Sequence, residues 1–284
     1  MSTYRAFQVT GKRQFELVER ELLGPQPGHV RFRVQSCGVC HSDVLAVEGL
    51  RADPSQPVVP GHEVVGVIDA LGEQVSGWSV GDRVGVGFLG GQCGVCVWCR
   101  RGDFVNCENQ PRPGTTADGG YAEVVYARAT GLVRIPDALA SVDASPLLCA
   151  GITTYNAVQK LNAEPDALVA IQGIGGLGHL GVQYANKLGY RVAAIARGTE
   201  KAVLAEKLGA HHYIDAQGLI RRHDYFVDIL GPAETESAHY TWGHQTFDGF
   251  VFPTHHSVHP TDNKGRKVAE PVIISIDVED IALS

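Results

Sequence analysis

The chain has 284 residues, of which 44% are hydrophobic and 19% are charged. This composition is ordinary for a globular protein and excludes fibrous and disordered classes, and the length suffices for two domains with a sizeable core. The formal net charge of -7 disfavours a nucleic acid or an anionic membrane as partner, because phosphate binding requires a basic surface. We therefore expect a small-molecule substrate.

The N-terminal sequence MSTYRAFQVTGKRQFELVER has no hydrophobic signal core, and no apolar run approaches the roughly 20 residues that span a bilayer. This pattern predicts a cytoplasmic protein. Thiols stay reduced in that compartment, so the seven cysteines are better explained as metal ligands than as disulfides.

Residues 4–130 are divided by Gly, Pro and Asp into short segments that have β-branched or alternating apolar residues. The clearest are HVRFRVQSC at 29–37, HEVVGVIDALG at 62–72, DRVGVGF at 82–88 and YAEVVYARA at 121–129. Alternation with a period of two is typical of strands with one buried face. The pattern predicts a strand-rich, barrel-like domain.

Two motifs in this domain and one cysteine after it supply residues of metal-binding type. They are QSCGVCHSD at 35–43, PGHEVVG at 60–66 and Cys149 in LLCAGITTY. Two Cys and one His as ligands leave the fourth position of a zinc ion open, as a catalytic site requires. Each motif alone has a simpler interpretation, because the His-Glu pair could cap a strand and Cys149 could belong to an apolar core.

Four cysteines, Cys93, Cys96, Cys99 and Cys107, follow the spacing CxxCxxCx7C. Two-residue gaps let consecutive sulfur atoms surround one ion and a longer loop returns the fourth, so the spacing predicts a structural zinc site. A disulfide cluster and an iron–sulfur cluster are the alternatives. The bacterial ferredoxin pattern continues with a three-residue gap and Cys-Pro, whereas here seven residues intervene and Glu108 follows.

From about residue 142 the pattern changes to alternating helices and strands. Helices are predicted at 143–161, 176–189 and 199–210, and strands at 167–172, 191–196 and 211–215. Such alternation is typical of a parallel, doubly wound sheet.

The turn after the first of these strands has the pattern GxGxxG, formed by Gly173, Gly175 and Gly178. Between a strand and a helix this pattern predicts a site for a dinucleotide pyrophosphate, which requires bare backbone and a helix N-terminus. A tight strand–helix turn without a ligand is the alternative.

Beyond Asp215 the pattern is poor. Only 224–231 and 271–278 are plausible strands, and irregular chain is expected at 239–267. A histidine-rich metal-binding or interaction segment is a further hypothesis for this part, although the histidines lack the spacing of a ligand set; they are His239, His244, His255, His256 and His259.

In their order and spacing, QSCGVCHSD, PGHEVVG, the four-cysteine segment, LLCAGITTY and GIGGLG resemble zinc-dependent alcohol dehydrogenases of the medium-chain dehydrogenase/reductase family. The resemblance covers residues 3–215 and implies an all-β domain followed by an α/β domain. The expected domains are a GroES-like β-barrel catalytic domain at 1–150, which includes a structural zinc lobe at about 90–110, and the first half of a Rossmann-type dinucleotide-binding domain at 151–216. Residues 217–284 would be a divergent tail, which leaves the parallel sheet incomplete.

The resemblance also implies a ligand set for the catalytic zinc. Cys40, His62 and Cys149 would bind the ion, and Glu63 would lie close enough to exchange onto it. Cys37 is left over and is expected to be a buried structural cysteine.

Three neighbouring residues receive roles from the same resemblance. Ser42 would carry the alcohol proton toward solvent, His41 would approach the cofactor phosphates, and Asp43 would orient a zinc ligand. A turn-forming role for Ser42 and Asp43 is the alternative.

The cofactor residues are expected around the glycine turn and at the end of the next strand. An NAD enzyme usually has an acidic residue there, whereas this chain has Ala196, then Arg197, and Lys201 a turn later, which favours NADP(H) over NAD(H). A solvated arginine without selectivity is the alternative. The expected cofactor-binding residues are Thr153, Gly173, Ile174, Gly175, Gly176, Leu177, Gly178, Arg197 and Lys201.

These expectations together describe a zinc-dependent oxidoreductase that transfers a hydride between a nicotinamide cofactor and a small alcohol or aldehyde, with one catalytic and one structural zinc. The resemblance also implies homo-oligomers. The alternative is a zinc-binding but inactive dehydrogenase fragment, because the pattern of a complete cofactor domain is missing.

Overall fold

The structure, a computed structural model, describes residues 2–49, 56–215, 217–226, 236–247, 250–262, 266–270 and 272–279. The chain divides into two compact units, Met1–Ile152 and Thr153–Ser284. Each unit has its own sheets and its own hydrophobic core.

The first unit consists of antiparallel strands linked by turns and short helices. Its strands are β1 (Thr3–Gly11), β2 (Gln14–Glu21), β3 (His29–Cys37), β4 (Val64–Leu71), β5 (Arg83–Val86), β6 (Val124–Arg128) and β7 (Leu132–Arg134). Its helices are α1 (Val44–Val47), α2 (Val97–Arg100), α3 (Ser141–Ala144) and the start of α4 (Ala150–Gln159), with 3₁₀ turns at His41–Asp43, Phe104–Asn106, Ala129–Gly131 and Ser145–Leu148.

Five of these strands form one antiparallel sheet in the order β6-β3-β4-β5-β7, and β1 pairs with β2 in a separate hairpin. Val30 and Phe32 of β3 and Val64 of β4 are fully buried against each other. Burial of a side chain of this size is worth about 1.5–3 kcal/mol, so the β-branched pattern that predicts these strands also provides their core. The four strand segments predicted in this part of the chain are all present.

The second unit is built on one mixed sheet of seven strands. Its strands are β8 (Leu168–Gln172), β9 (Arg191–Ile195), β10 (His212–Ile214), β11 (Ile220–Phe226), β12 (Glu236–Trp242), β15 (His255–Pro260) and β16 (Ile274–Asp277), in the order β16-β15-β12-β11-β10-β9-β8. A separate hairpin contains β13 (Gln245–Phe247) and β14 (Phe250–Phe252). The helices are α5 (Gly178–Lys187) and α6 (Ala202–Lys207).

Only part of the seven-stranded sheet is parallel. β8, β9 and β10 are parallel neighbours, joined through α5 and α6, whereas β11, β12, β15 and β16 are antiparallel. Val182 of α5, Val192 of β9 and Ala205 of α6 are fully buried in the core that these elements share. The predicted alternation of strands and helices up to residue 215 is therefore present in the structure.

The predicted helix at 143–161 is interrupted. α3 is followed by a 3₁₀ turn that contains Pro146, and Cys149 then adopts φ -127 and ψ -72 before α4 begins. Proline in the first turn and a non-helical residue at its end prevent one continuous helix. The break places Cys149 between two elements rather than on a helix face.

The expectation of irregular chain at 239–267 is wrong. Most of β12 and all of β13, β14 and β15 lie in this range. Imidazole and indole rings packed across the strands replace aliphatic pairs here, as in the stack of Trp242 on His255, whose ring centroids are 5.5 Å apart. Of the two predicted strands, 224–231 overlaps β11 but residues 227–231 lie outside the described residues, and 271–278 contains β16.

Candidate active site

Four metal-type side chains converge in the first unit. The ligand atoms of Cys40, His62, Glu63 and Cys149 all lie within 4.8 Å of one another, and the two sulfur atoms are 3.8 Å apart. Cys40 stands directly before the 3₁₀ turn, His62 and Glu63 directly before β4, and Cys149 at the helix break. Residues far apart in sequence thus meet because the start of a 3₁₀ turn, the start of β4 and the break before α4 lie next to one another.

His62 is held by one side chain and faces the cluster with the other end of its ring. Its Nδ1 lies 3.0 Å from an Asp43 carboxylate oxygen. The ring is 1% exposed, and Nε2 has no hydrogen-bond partner among the described residues. A buried polar atom without a partner is costly, and an imidazole nitrogen beside two cysteine sulfur atoms is a typical zinc ligand. The donor set therefore fits zinc.

Asp43 is buried as a charged group. Its other carboxylate oxygen accepts hydrogen bonds from the backbone N–H of Cys40 at 3.0 Å and from the Tyr121 hydroxyl at 2.7 Å. Burial raises the pKa of the Asp43 carboxyl, but hydrogen bonds from His62, Cys40 and Tyr121 outweigh this effect and leave its pKa below the usual value. Burial lowers the pKa of His62, but the hydrogen bond to Asp43 and the neighbouring sulfur atoms outweigh this effect and raise the pKa to about 10, so a metal at Nε2 would have to displace a proton. Asp43 would then keep a proton on Nδ1 and orient Nε2 toward the metal.

The pKa values of Cys40 and Glu63 shift in opposite directions. Burial raises the pKa of the Cys40 thiol, but hydrogen bonds with the backbone and the side chain of Ser42 lower it. The lowering effects are larger together, so the pKa of Cys40 lies below its usual value. Burial raises the pKa of the Glu63 carboxyl. Gly38 lies against that carboxylate, since an added Cβ would be 1.9 Å from Oε2. The site therefore makes the Cys40 thiol more acidic than a free one, and the Glu63 carboxylate occupies the space that a side chain at position 38 would need.

The other predicted residues of the motif lie outside the cluster. His41 and Ser42 are exposed in the 3₁₀ turn next to Cys40. Cys37 is partly buried against the core of the five-stranded sheet, and burial raises the pKa of its thiol to about 12. A thiol of this kind is unreactive, and Cys37 is not among the four converging ligands.

The four cysteines of the CxxCxxCx7C segment form a second cluster. Their sulfur atoms lie within 4.8 Å of one another, and those of Cys93 and Cys99 are 3.9 Å apart. Backbone N–H groups of Val95 and Cys96 lower the pKa of Cys93 to about 6, whereas burial raises the pKa of Cys99 to about 12. All seven cysteines lie in the described part of the chain and are free. Four thiols this close suit a closed tetrahedral zinc site.

The glycine turn of the second unit has the geometry of an open backbone loop. Gly173 has φ +85, and its N–H donates to the carbonyl of Ile195 at 2.7 Å. An added Cβ at Gly178 would lie 1.8 Å from the Gly173 carbonyl oxygen, whereas at Gly175 it would meet nothing within 4 Å. Gly173 and Gly178 therefore permit the turn, and Gly175 leaves its backbone accessible to a ligand.

Two cavities divide the predicted cofactor residues between them. A cavity of about 900 Å³ is lined by Gly173, Ile174, Gly175, Arg197 and Lys201, among others, and an apolar cavity of about 310 Å³ by Thr153, Leu177 and Gly178. Gly176 is exposed and lines neither.

Both predicted cations face the larger cavity. Arg197 is exposed, and Lys201 donates from Nζ to the Ile174 carbonyl at 2.8 Å. Asp215 also lines this cavity, but its carboxylate is engaged by Arg221 at 2.5 Å. The positive side chains are thus the ones available to a ligand phosphate.

The tail histidines approach one another without forming a comparable cluster. His239 Nε2 lies 2.9 Å from His256 Nδ1. Within the described ranges, the two cysteine-containing clusters are the groups in which three or more ligand atoms come within 4.8 Å. In the same ranges, none of the helices has the length and apolar character that crossing a bilayer requires.

Comparison with known proteins places this architecture among dehydrogenases. The family model "Alcohol dehydrogenase GroES-like domain" matches residues 26–137, and the model "Zinc-binding dehydrogenase" matches residues 176–238. The "Alcohol dehydrogenase patD" of Aspergillus clavatus is 47% identical over 215 residues, which are 75% of this chain and 55% of that protein.

Solved structures of dehydrogenases and reductases also match this chain. A cobalt- and zinc-bound thermostable alcohol dehydrogenase from Pyrobaculum aerophilum matches with a TM-score of 0.70 and 30% identity, over 76% of this chain and 67% of that one. The Helicobacter pylori CAD complexed with NADP(H) matches with a TM-score of 0.67 and 27% identity, over 74% of this chain and 64% of that one. The acetophenone reductase of Geotrichum candidum in complex with NAD matches with a TM-score of 0.68 and 30% identity, over 75% of this chain and 64% of that one.

The fold is thus a GroES-like domain followed by a Rossmann-like one, which confirms the predicted fold class. The chain belongs to the zinc-type medium-chain alcohol dehydrogenase family. Two of these relatives are thus complexes with NADP(H) and with NAD, and a third is bound to cobalt and zinc. The chain spans 55%, 63% and 56% of the first three curated relatives it matches.

Tyr121 is the contributor to this site that sequence reasoning missed. It lies in the predicted strand segment 121–129, where it reads as one more alternating aromatic residue. No spacing relates it to Asp43, which precedes it by 78 positions, so the contact becomes visible only in the folded chain.

Proposed function

We propose that this chain is a zinc-dependent oxidoreductase that transfers a hydride between a nicotinamide nucleotide and a small alcohol or aldehyde. The observation that carries the proposal is the open ligand set: Cys40, Cys149 and a buried His62 whose Nε2 has no hydrogen-bond partner among the described residues. Three protein ligands are typical of a catalytic zinc, which keeps a position for substrate.

The residues around this set have separate tasks. Zinc, when bound, is a Lewis acid that stabilises negative charge on the substrate oxygen. Asp43 fixes the ring of His62, and the exposed Ser42 is placed next to Cys40 to pass the substrate proton to water. Glu63 offers a carboxylate as a further ligand. The four-cysteine cluster holds a second, structural zinc with no open position.

We assign a preference for NADP(H) over NAD(H) to Arg197 and Lys201. They line the cavity beside the glycine turn, and Ala196 stands where an acidic residue would repel a 2'-phosphate. Solved relatives contain either NADP(H) or NAD, so the proposal rests on this chain's own residues.

A zinc-binding but inactive fragment is the competing function. The observation that favours it is the sheet beyond β10, which continues antiparallel rather than with further parallel strands. Binding of NADPH and NADH to the zinc-loaded chain, followed by nicotinamide fluorescence, separates the two. Saturable binding supports the dehydrogenase, and its absence in a protein with two zinc ions supports the fragment.

We place the protein in the cytoplasm, where the free thiols of both clusters stay reduced. We also propose that it forms homo-oligomers through the outer edge of β8. In the described residues β8 pairs with β9 alone, and its sequence LVAIQ carries no charge or proline that would block pairing with a second copy.

A further inference from the structure

The hydroxyl of Tyr121 completes a hydrogen-bonded chain that ends at the candidate zinc site. It donates to one Asp43 oxygen at 2.7 Å, and the other Asp43 oxygen lies 3.0 Å from His62 Nδ1. Asp43 is 7% exposed, so water is poorly placed to replace a lost donor. The orientation of the carboxylate therefore depends on its protein partners.

The backbone beside Tyr121 is clamped to the segment that carries His62. The N–H groups of Gly119, Gly120 and Tyr121 donate to the carbonyls of Val59, Gly61 and Pro60 at 2.7, 2.9 and 3.0 Å, respectively. The tyrosine ring also lies against Gly61, where an added Cβ would be 2.7 Å from Cδ1. The ring and the backbone thus fix the distance between the Tyr121 hydroxyl and Asp43 before any metal binds.

We infer that Tyr121 is a positioning residue for the catalytic zinc, an inference that rests on the proposed function. It holds Asp43 in the one orientation that presents an oxygen to His62 Nδ1, and thereby keeps Nε2 directed at the metal position. Without the hydroxyl, one Asp43 oxygen keeps only the Cys40 N–H as a donor, and the carboxylate can rotate away from His62. Loss of a side chain that bonds to a metal ligand directly, as Asp43 does to His62, typically weakens a metal site about 10–100-fold, and the effect of Tyr121 should be smaller because it acts through Asp43.

Zinc release from the full-length, zinc-loaded chain to a chromogenic chelator tests this inference. Two kinetic phases of zinc release are expected, one for each ion. The phase that disappears in Cys40→Ser belongs to the catalytic ion, and the other phase belongs to the structural ion. Tyr121→Phe keeps the ring against Gly61 and should speed the catalytic phase by up to about 10-fold, the lower end of the range for a direct partner of a metal ligand, while leaving the structural phase unchanged. Tyr126→Phe is the matched control, because its hydroxyl bonds to the backbone of Leu23 instead.

A double-mutant cycle with Asp43→Asn completes the test, since Tyr121→Phe should have little further effect once the carboxylate is lost. Zinc release from Tyr121→Phe at the wild-type rate would overturn the role of Tyr121 but not the proposed function. The same holds if Tyr121→Phe speeds release equally in the wild-type and Asp43→Asn backgrounds. A wild-type chain that shows no catalytic phase would instead overturn the proposed function, and the inference with it.

Discussion

Individual side chains shape both candidate sites. A carboxylate oxygen of Asp43 lies 3.0 Å from His62 Nδ1, and the cationic side chains of Arg197 and Lys201 line the cavity beside the glycine turn. The ligand motif and the glycine turn are readable from sequence because their spacing is local. The clustering of Cys40, His62 and Cys149 follows from the family resemblance, whereas the contact of Tyr121 with Asp43 requires the fold.

Arg197→Asp should reverse the cofactor preference. The change removes a cation that faces a 2'-phosphate and introduces a carboxylate that accepts ribose hydroxyls. A charge-assisted hydrogen bond is worth about 1.5–3 kcal/mol, so NADPH affinity should fall roughly 10–100-fold and NADH affinity should rise. Fluorescence titration with both nucleotides measures this. Lys160→Asp, an exposed cation of the same unit that lines neither cavity, is the control, and equal weakening of both nucleotides would contradict the assignment.

At the scale of helices and strands, the elements that are predicted correctly are those with a clear local pattern of apolar residues. The strands of the first unit and the parallel strands up to β10 are predicted well because aliphatic, β-branched residues alternate along them. β12 and β15 are not predicted, because histidine, threonine and tryptophan recur in their cross-strand pairs and carry no clear apolar period. β13 and β14 are missed as well, since each has only three residues. The break before α4 is also missed, although Pro146 in the sequence signals an interruption; the non-helical backbone at Cys149 itself has no such signal.

The four-cysteine lobe should depend on its ion. Its elements are one-turn helices, α2 and the Phe104–Asn106 turn, which are too short to be stable alone. Cys107→Ser should remove one of two bound zinc ions and lower Tm by at least about 4 °C, since 1 kcal/mol corresponds to roughly 2–4 °C in proteins of this size. Cys37→Ser, outside both clusters, should keep both ions. An unchanged zinc content in Cys107→Ser would exclude the structural site.

A row of histidines across β10, β11, β12 and β15 should make the second sheet acid-sensitive. The rings of His212 and His223 are 5.6 Å apart, those of His223 and His239 6.0 Å, and those of His239 and His256 5.1 Å. Burial lowers the pKa values of His212, His223 and His239. A lowered pKa means that the unfolded chain binds protons more readily, so stability present above about pH 6.5 is lost as the pH falls through the folded values.

Chemical denaturation at pH 8 and pH 5 tests this sign. The free energy of unfolding should be smaller at pH 5, and His223→Gln should reduce the difference, because it removes the ring in the middle of the row. His29→Gln, a histidine of the first unit, is the control. Equal pH dependence in wild type and His223→Gln would show that the row does not titrate with folding.

At the scale of the whole molecule, two features separate the described part of the chain from a complete doubly wound sheet: the antiparallel strands beyond β10 and the edge of β8, where no further strand pairs. In that fold the position beside the first strand is taken by the fourth. Leu168 is 54% exposed, and the apolar cavity of about 310 Å³ lies alongside the strand. Unpaired apolar edges of this kind promote association.

Leu168→Lys should therefore weaken self-association by at least about tenfold in Kd, the equivalent of about 1.4 kcal/mol. Sedimentation equilibrium measures the change. Leu204→Lys, on an exposed position of α6, should leave the association unchanged. A chain that stays monomeric at all concentrations, or a Leu168→Lys variant that associates like the wild type, would refute pairing through β8.

The most direct test of the proposed function is turnover. The zinc-loaded full-length chain is mixed with NADPH and a panel of small aldehydes, and loss of nicotinamide fluorescence is followed alongside Cys40→Ser, which lacks one ligand of the open set. We predict oxidation of NADPH that depends on the aldehyde and falls at least about 100-fold in Cys40→Ser, since that site is to supply the Lewis acid. A wild-type chain that carries two zinc ions, binds NADPH and still reduces none of the aldehydes would contradict the account.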